Sequence, residues 1–142
     1  MVSFSLKVRF YETDLMGVVH HANYLRWFEM GRVEYLRQGG IDLNEMMGEG
    51  FMVPIVDVNC RYRQSARFDD EVIIETVLEK LSKVKLSFSY RALRAKDGVL
   101  LAEGKTTNGI TTAEGKVARL SDSYMERLNK MLEEERETRK EC

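Results

Sequence analysis

The tightest constraint on the fold lies between residues 83 and 92. There Val84, Leu86, Phe88, Tyr90 and Ala92 alternate without a break with Lys83, Lys85, Ser87, Ser89 and Arg91. A period of two over this length fits a β-strand with one apolar and one polar face. Asp97-Gly98 follows as a hairpin signal, and Leu100, Ala102, Gly104 and Thr106 resume the pattern beyond it. Upstream, Val72, Ile74, Thr76 and Leu78 repeat it. So do Val56, Val58, Cys60 and Tyr62, set against Asp57, Asn59, Arg61 and Arg63. The stretch 51–112 therefore reads as long strands joined by short turns, which pair antiparallel. A further strand is expected over 4–10, where Phe4, Leu6, Val8 and Phe10 alternate with Ser5, Lys7 and Arg9.

A sheet with one apolar face needs a cover. From Asn23, a good N-cap, Tyr24, Trp27 or Phe28, Gly31 and Tyr35 recur at helical spacing until Gly39-Gly40 ends the run. Trp27, Phe28 and Tyr35 are expected in the core. Asp42 and Glu45 form a capping-box pair for a short helix ending near Gly48 to Gly50. Residues 121–139 form a last helix, with Ser123 and Glu126 as its capping box and Met125, Leu128, Met131 and Leu132 on one face. After about 135 the apolar stripe is lost and fraying is expected. No repeat or linker interrupts the chain. A single domain over 1–142 is expected, of α+β class: an antiparallel sheet wrapped around one long central helix, with a C-terminal helix.

Composition narrows the function. Apolar residues make up 44% and charged residues 32%, a globular balance. The net charge of −1 points to neither nucleic acid nor an anionic membrane as the main partner. Cys60 and Cys142 form neither a disulfide framework nor a metal-ligand spacing, and Cys60 reads as a buried, inert thiol. No run approaches a membrane span and the N-terminal residues hold no long apolar segment, so a cytoplasmic location is expected. There is no G-x-S-x-G, no P-loop and no G-x-G-x-x-G. His20-His21 near Glu12 and Asp14 invites a metal, but adjacent side chains diverge in most backbones, and no metal is expected.

The chemistry that remains sits in residues 11–24. Asp14 precedes the apolar stretch Leu15-Met16-Gly17-Val18-Val19, where a partly desolvated carboxylate is a stronger base. The segment runs into the start of the long helix, whose unpaired N–H groups and dipole suit a developing oxyanion. Equally, Asp14 can cap a turn while Asn23 caps the helix. The residues alone leave both readings open.

Tyr11, Asp14, Gly17-Val18-Val19 and His21-Ala22-Asn23-Tyr24, followed by an aromatic helix, resemble the 4-hydroxybenzoyl-CoA thioesterase family, most of all its YbgC-like acyl-CoA thioesterase branch. The resemblance continues through Phe28-Glu29, Arg32, Glu34 and Ala66-Arg67-Phe68-Asp69-Asp70. It implies the hotdog fold, paired into homodimers or homotetramers. It implies hydrolysis of acyl-CoA to a carboxylic acid and coenzyme A, with no cofactor beyond the coenzyme A of the substrate. By position, Asp14 is the catalytic carboxylate and His21 its partner, the His21 backbone N–H polarising the thioester carbonyl. The aromatic-substrate enzymes lack that histidine, which counts against hydroxybenzoyl-CoA. Tyr11, Gly17, Val18, Asn23 and Tyr24 are the expected substrate contacts, Tyr24 at the acyl pocket. Of the basic residues, Arg61, Arg67 and Lys83 are candidates for the coenzyme A phosphates. Glu29 on the helix is an alternative carboxylate, with an ion pair to Arg26 or Arg32 as its plainer role. Two other functions compete. The Asp-x6-His spacing within one loop argues against a hotdog hydratase or dehydratase. A non-catalytic acyl-CoA-binding protein would normally carry a DNA-binding appendage, for which this chain has no room.

Overall fold

The computed structural model describes residues 1–141, so Cys142 lies outside the described residues. The order is β1 (Val2–Lys7), α1 (Ala22–Gln38), α2 (Leu43–Gly48), β2 (Ile55–Tyr62), β3 (Glu71–Leu81), β4 (Lys85–Arg94), β5 (Leu100–Gly109) and α3 (Asp122–Glu141), with a 3-10 turn at Phe10–Glu12. The strands form one sheet in the order β1-β3-β4-β5-β2, antiparallel at every pairing. Its centre is the meander β3-β4-β5. Both edges come from earlier in the chain. No helix among the described residues is long and apolar enough to cross a membrane.

The alternation read in the sequence sets the inner face. Leu86, Phe88, Tyr90 and Ala92 are buried beneath α1, which packs on β1, β3 and β4. Trp27, Phe28 and Tyr35 are fully buried, and Phe28 stacks on Tyr90 with ring centroids 4.8 Å apart. Two glycines let helix and sheet approach. A Cβ on Gly104 would stand 2.8 Å from the Phe28 ring. A Cβ on Gly31 would collide with Thr76 Oγ1 and stand 3.0 Å from Ile74 Cγ2. Alanine is the better helix former by about 1 kcal/mol. The overpacking cost of about 1–3 kcal/mol outweighs that gain against a rigid sheet. Gly31→Ala is therefore expected to lower the urea midpoint. A raised midpoint would show that the approach is not tight.

The α1 C-terminus closes as its glycines predict. Gly40 has φ +78°, its N–H donates to Arg37 O (3.0 Å), and Ile41 N–H donates to Leu36 O (2.9 Å). Asp42 caps α2 by accepting from Asn44 N–H at 2.7 Å. Three local expectations are corrected. The N-cap of α1 is His21, not Asn23; the Asn23 amide lies inside the first turn and reaches back to the carbonyls of Glu12 and His20. Ser121, not Ser123, caps α3, accepting from Tyr124 N–H through Oγ and from Met125 N–H through its carbonyl. The first strand is Val2–Lys7: Val8 still donates in register to Asp70 O at 2.9 Å, but the partner strand turns away there, Asp70 N–H donating to Arg67 O. The α3 segment is helical through Glu141, and Glu135 is buried, accepting from Tyr35 Oη and the Met1 amino group.

At the far edge, β2 has a bulge between Ile55 and Asp57 and little cover. Val56 and Val58 are 58% and 42% exposed, because α1 does not reach across β5 to them. Cys60 is correspondingly half-buried rather than buried, and what burial it has pushes its thiol up, away from the reactive thiolate.

Candidate functional site

The site is built on Glu12. Its carboxylate, 3% exposed, accepts from Arg9 N–H and from Trp27 Nε1–H, both at 2.8 Å. Its carbonyl accepts from His20 N–H and from Asn23 Nδ2, both at 2.9 Å. The loop between β1 and α1 is thereby pinned at both ends to the helix. Between the pins the chain turns back on itself: Thr13 pairs with Val19, and Asp14 N–H donates to Val18 O at 2.9 Å. Gly17, at φ +77°, closes the turn with its N–H on Asp14 O, a conformation that disfavours other residues.

Asp14 stands at the start of this turn, and its two oxygens differ. Oδ1 accepts from Met16 N–H at 2.8 Å, and Oδ2 has no partner among the described residues. One oxygen thus caps the turn, and the other is left unengaged. The desolvation expected from Leu15 and Met16 is not supplied by the single chain. Those side chains sit at the tip of the turn and point into solvent, and Asp14 is exposed with them.

Asp14 opens onto a cleft of about 830 Å³ between the turn and the start of α1. Phe10, Tyr11 and Leu15 line the turn side, and His20, Asn23 and Arg26 the helix side. His21, exposed, is not part of this lining. Its ring meets Tyr62 edge-on at 6.0 Å, its carbonyl accepts from Tyr62 Oη at 3.1 Å, and its N–H has no acceptor among the described residues. The two histidines do not diverge. Their rings stack at 4.2 Å, because His20 Nδ1 turns back to accept from Ala22 N–H.

Other expected contacts divide by position. Gly17 and Val18 form the turn itself, and Val18 bridges to Arg67. Tyr24 is buried, packs on Trp27 and Tyr62, and accepts from Ala66 N–H at 3.1 Å. It holds the 66–67 segment against the turn, and burial pushes its phenol up. Arg67 flanks the turn, exposed and without an ion pair among the described residues. Arg61 lies on the outer face of β2, in a depression with Asn59, Arg91 and Lys105. Lys83 sits in the β3–β4 turn, at the opposite end of the sheet from Asp14. Glu29 forms none of its expected ion pairs: Arg26 leans on Asn23 Oδ1, and Arg32 is buried and donates to Tyr90 Oη at 3.1 Å.

Sequence reasoning considered Glu12 and His20 only for a metal and Arg26 only as an ion-pair partner of Glu29. A signal for Glu12 was present. A core tryptophan needs an acceptor for its indole N–H, and Glu12 is the acidic residue that the turn delivers to Trp27.

A five-stranded antiparallel sheet around one long helix, with a carboxylate-bearing turn at the helix start, is a hotdog domain. Residues 8–128 match the model of the thioesterase-like superfamily, and the chain belongs to that superfamily. It is 33% identical over 95 residues to the acyl-CoA thioesterase YbgC of Haemophilus influenzae, spanning 65% of this chain and 68% of that protein. The DHNA-CoA thioesterase of Staphylococcus aureus superposes with a TM-score of 0.86 at 30% identity, covering 90% of this chain and 88% of that one. The hypothetical protein TT1821 of Thermus thermophilus superposes with a TM-score of 0.84 at 36% identity, covering 91% and 98%.

Proposed function

We propose that this chain hydrolyses acyl-CoA thioesters to a carboxylic acid and coenzyme A, with Asp14 as the reacting carboxylate. The observation that carries the assignment is the free Oδ2 of Asp14 in an open cleft, its partner oxygen fixed by Met16 N–H. A thioester is already an activated acyl group, so water needs only a base and a polarised carbonyl, and no metal or redox cofactor enters. Asp14 takes the proton of the attacking water, or attacks first and forms a mixed anhydride that water opens. The unpartnered His21 N–H suits the carbonyl oxygen. Arg26, which lines the cleft, and Arg67, which flanks the turn, make no ion pair among the described residues and suit phosphate. The test is release of free thiol from acetyl-, butyryl- and longer acyl-CoAs, followed with a thiol reagent. Inertness to the whole panel would reject the assignment, and hydration of an enoyl-CoA would favour a hydratase.

The same reading makes the active form, working in the cytoplasm, a homodimer or a pair of dimers. The outer edge of β2 has unpaired backbone groups, and its inner face exposes Val58 and Tyr62 beyond the bulge at Val56. Edges of this kind are paired or covered, and a second copy joined edge to edge continues the sheet with two-fold symmetry. A pairing there also brings a second chain to the exposed turn, where it would supply the desolvation that Asp14 lacks. Sedimentation at micromolar concentration is expected to show a dimer or tetramer, and Val58→Lys a shift to monomer. A fully active wild-type monomer would refute the pairing.

A further inference from the structure

We propose that His20 is a catalytic residue of this site, its Nε2–H donating to the thioester carbonyl oxygen as that oxygen takes up charge; the proposal rests on the thioesterase reading above. Of the two adjacent histidines, His20 lines the Asp14 cleft, and His21 lies outside its lining, its ring against Tyr62. The His20 ring is oriented by a backbone contact: Ala22 N–H donates to Nδ1 at 3.2 Å. A ring nitrogen that accepts a hydrogen bond carries the lone pair, so the proton of the neutral imidazole resides on Nε2. Nε2 has no acceptor among the described residues. The His20 backbone is fixed by its N–H bond to Glu12 O at 2.9 Å, and the ring by its stack on His21 at 4.2 Å. The result is an oriented N–H donor bordering the cleft that Asp14 lines.

The proton balance follows. Asp14 removes a proton from water as the water oxygen bonds to the carbonyl carbon, and the π pair moves onto the carbonyl oxygen. His20 stabilises that oxyanion through Nε2–H and keeps its proton. When the carbonyl re-forms, the C–S bond breaks with its electron pair on sulfur, and the proton held by Asp14 passes to the thiolate. A neutral imidazole suits this role because it is asked for a hydrogen bond and never for a proton.

The competing role for His20 is that of a cap for Ala22 N–H. Two variants separate the two. His20→Phe keeps a ring to stack on His21 but has no donor, and His20→Gln keeps a neutral N–H donor. With acyl-CoA substrates, His20→Phe is expected to lower kcat on the order of 100-fold with KM little changed. His20→Gln should recover a large part of that loss. Equal melting temperatures for the variants and wild type, with kcat ordered wild type, Gln, Phe, support the proposal. A His20→Phe enzyme that matches wild type, or a His20→Gln enzyme as slow as His20→Phe, overturns it. In either case an active wild type that Asp14→Asn silences leaves the thioesterase assignment standing. A wild type inert to every acyl-CoA overturns both.

Discussion

Asp14→Asn is expected to lower acyl-CoA hydrolysis by about 100-fold or more, the usual scale for losing a general base, without changing the fold. The structure explains why the substitution is clean. Asn retains an Oδ1 that accepts the Met16 N–H, so the turn from Asp14 to Val18 keeps its closing contacts. What it loses is the unpartnered Oδ2, replaced by an amide that neither takes a proton nor attacks a carbonyl. Turnover and thermal melting should be measured on the same preparation. A variant that turns over within a few-fold of wild type would remove Asp14 from the mechanism. Glu29, exposed on α1, would then be tested as Glu29→Gln.

The second large effect is expected at Glu12, which touches no substrate. Glu12→Ala strips the acceptor from Trp27 Nε1–H inside the core and from Arg9 N–H at its margin. Leaving such donors unsatisfied costs about 2–4 kcal/mol in all, read as a lowered urea midpoint. Activity should fall as well, because the turn that carries Asp14 begins at the next residue and loses its side-chain anchor to the helix. Glu12→Gln separates the two losses. Its single amide oxygen can serve the indole, restoring most of the stability, while its NH2 faces Arg9 N–H and leaves the turn strained. A Glu12→Ala enzyme as stable and as fast as wild type would show that the buried carboxylate anchors nothing.

What the sequence revealed and what it hid follow the range of the forces involved. The alternation at 83–92 reports burial of one face, a property each residue carries locally, and the strands fell where it placed them. The edge was not legible. Val56, Val58 and Tyr62 alternate just as Leu86, Phe88 and Tyr90 do, yet the first set is exposed and the second buried. The difference lies in the bulge between Ile55 and Asp57 and in the reach of α1, whose Tyr24 meets Tyr62 at one end of β2; the spacing of apolar residues along β2 encodes neither. Capping signals were ambiguous for a related reason: Asn23 has the chemistry of a cap, but two carbonyls from a folded-back turn claimed its amide. At the site, residue types and order pointed to Asp14 and the helix start. The division of labour between its oxygens, and which histidine lines the cleft, depend on single hydrogen bonds from Met16 and Ala22. The motif names the residues without aiming them.

The strand order also governs how the chain comes into being on the ribosome. β1, α1 and β2 are synthesised before β3, β4 and β5, yet β1 pairs only with β3, and β2 only with β5, Ile55 lying opposite Asn108. The roughly fifty residues between the end of β2 and the end of β5 take on the order of 2–10 s to add. At the start of that interval Trp27, Phe28 and Tyr35 have no sheet to cover, and until its end β2 has no neighbour. The hairpins of the late meander are local and close first, and the waiting N-terminal half then docks on either side of them. A nascent chain stalled just after β2 would hold the aromatic helix and one future edge of the sheet with nothing to bury them, which makes it the natural client of a holding chaperone.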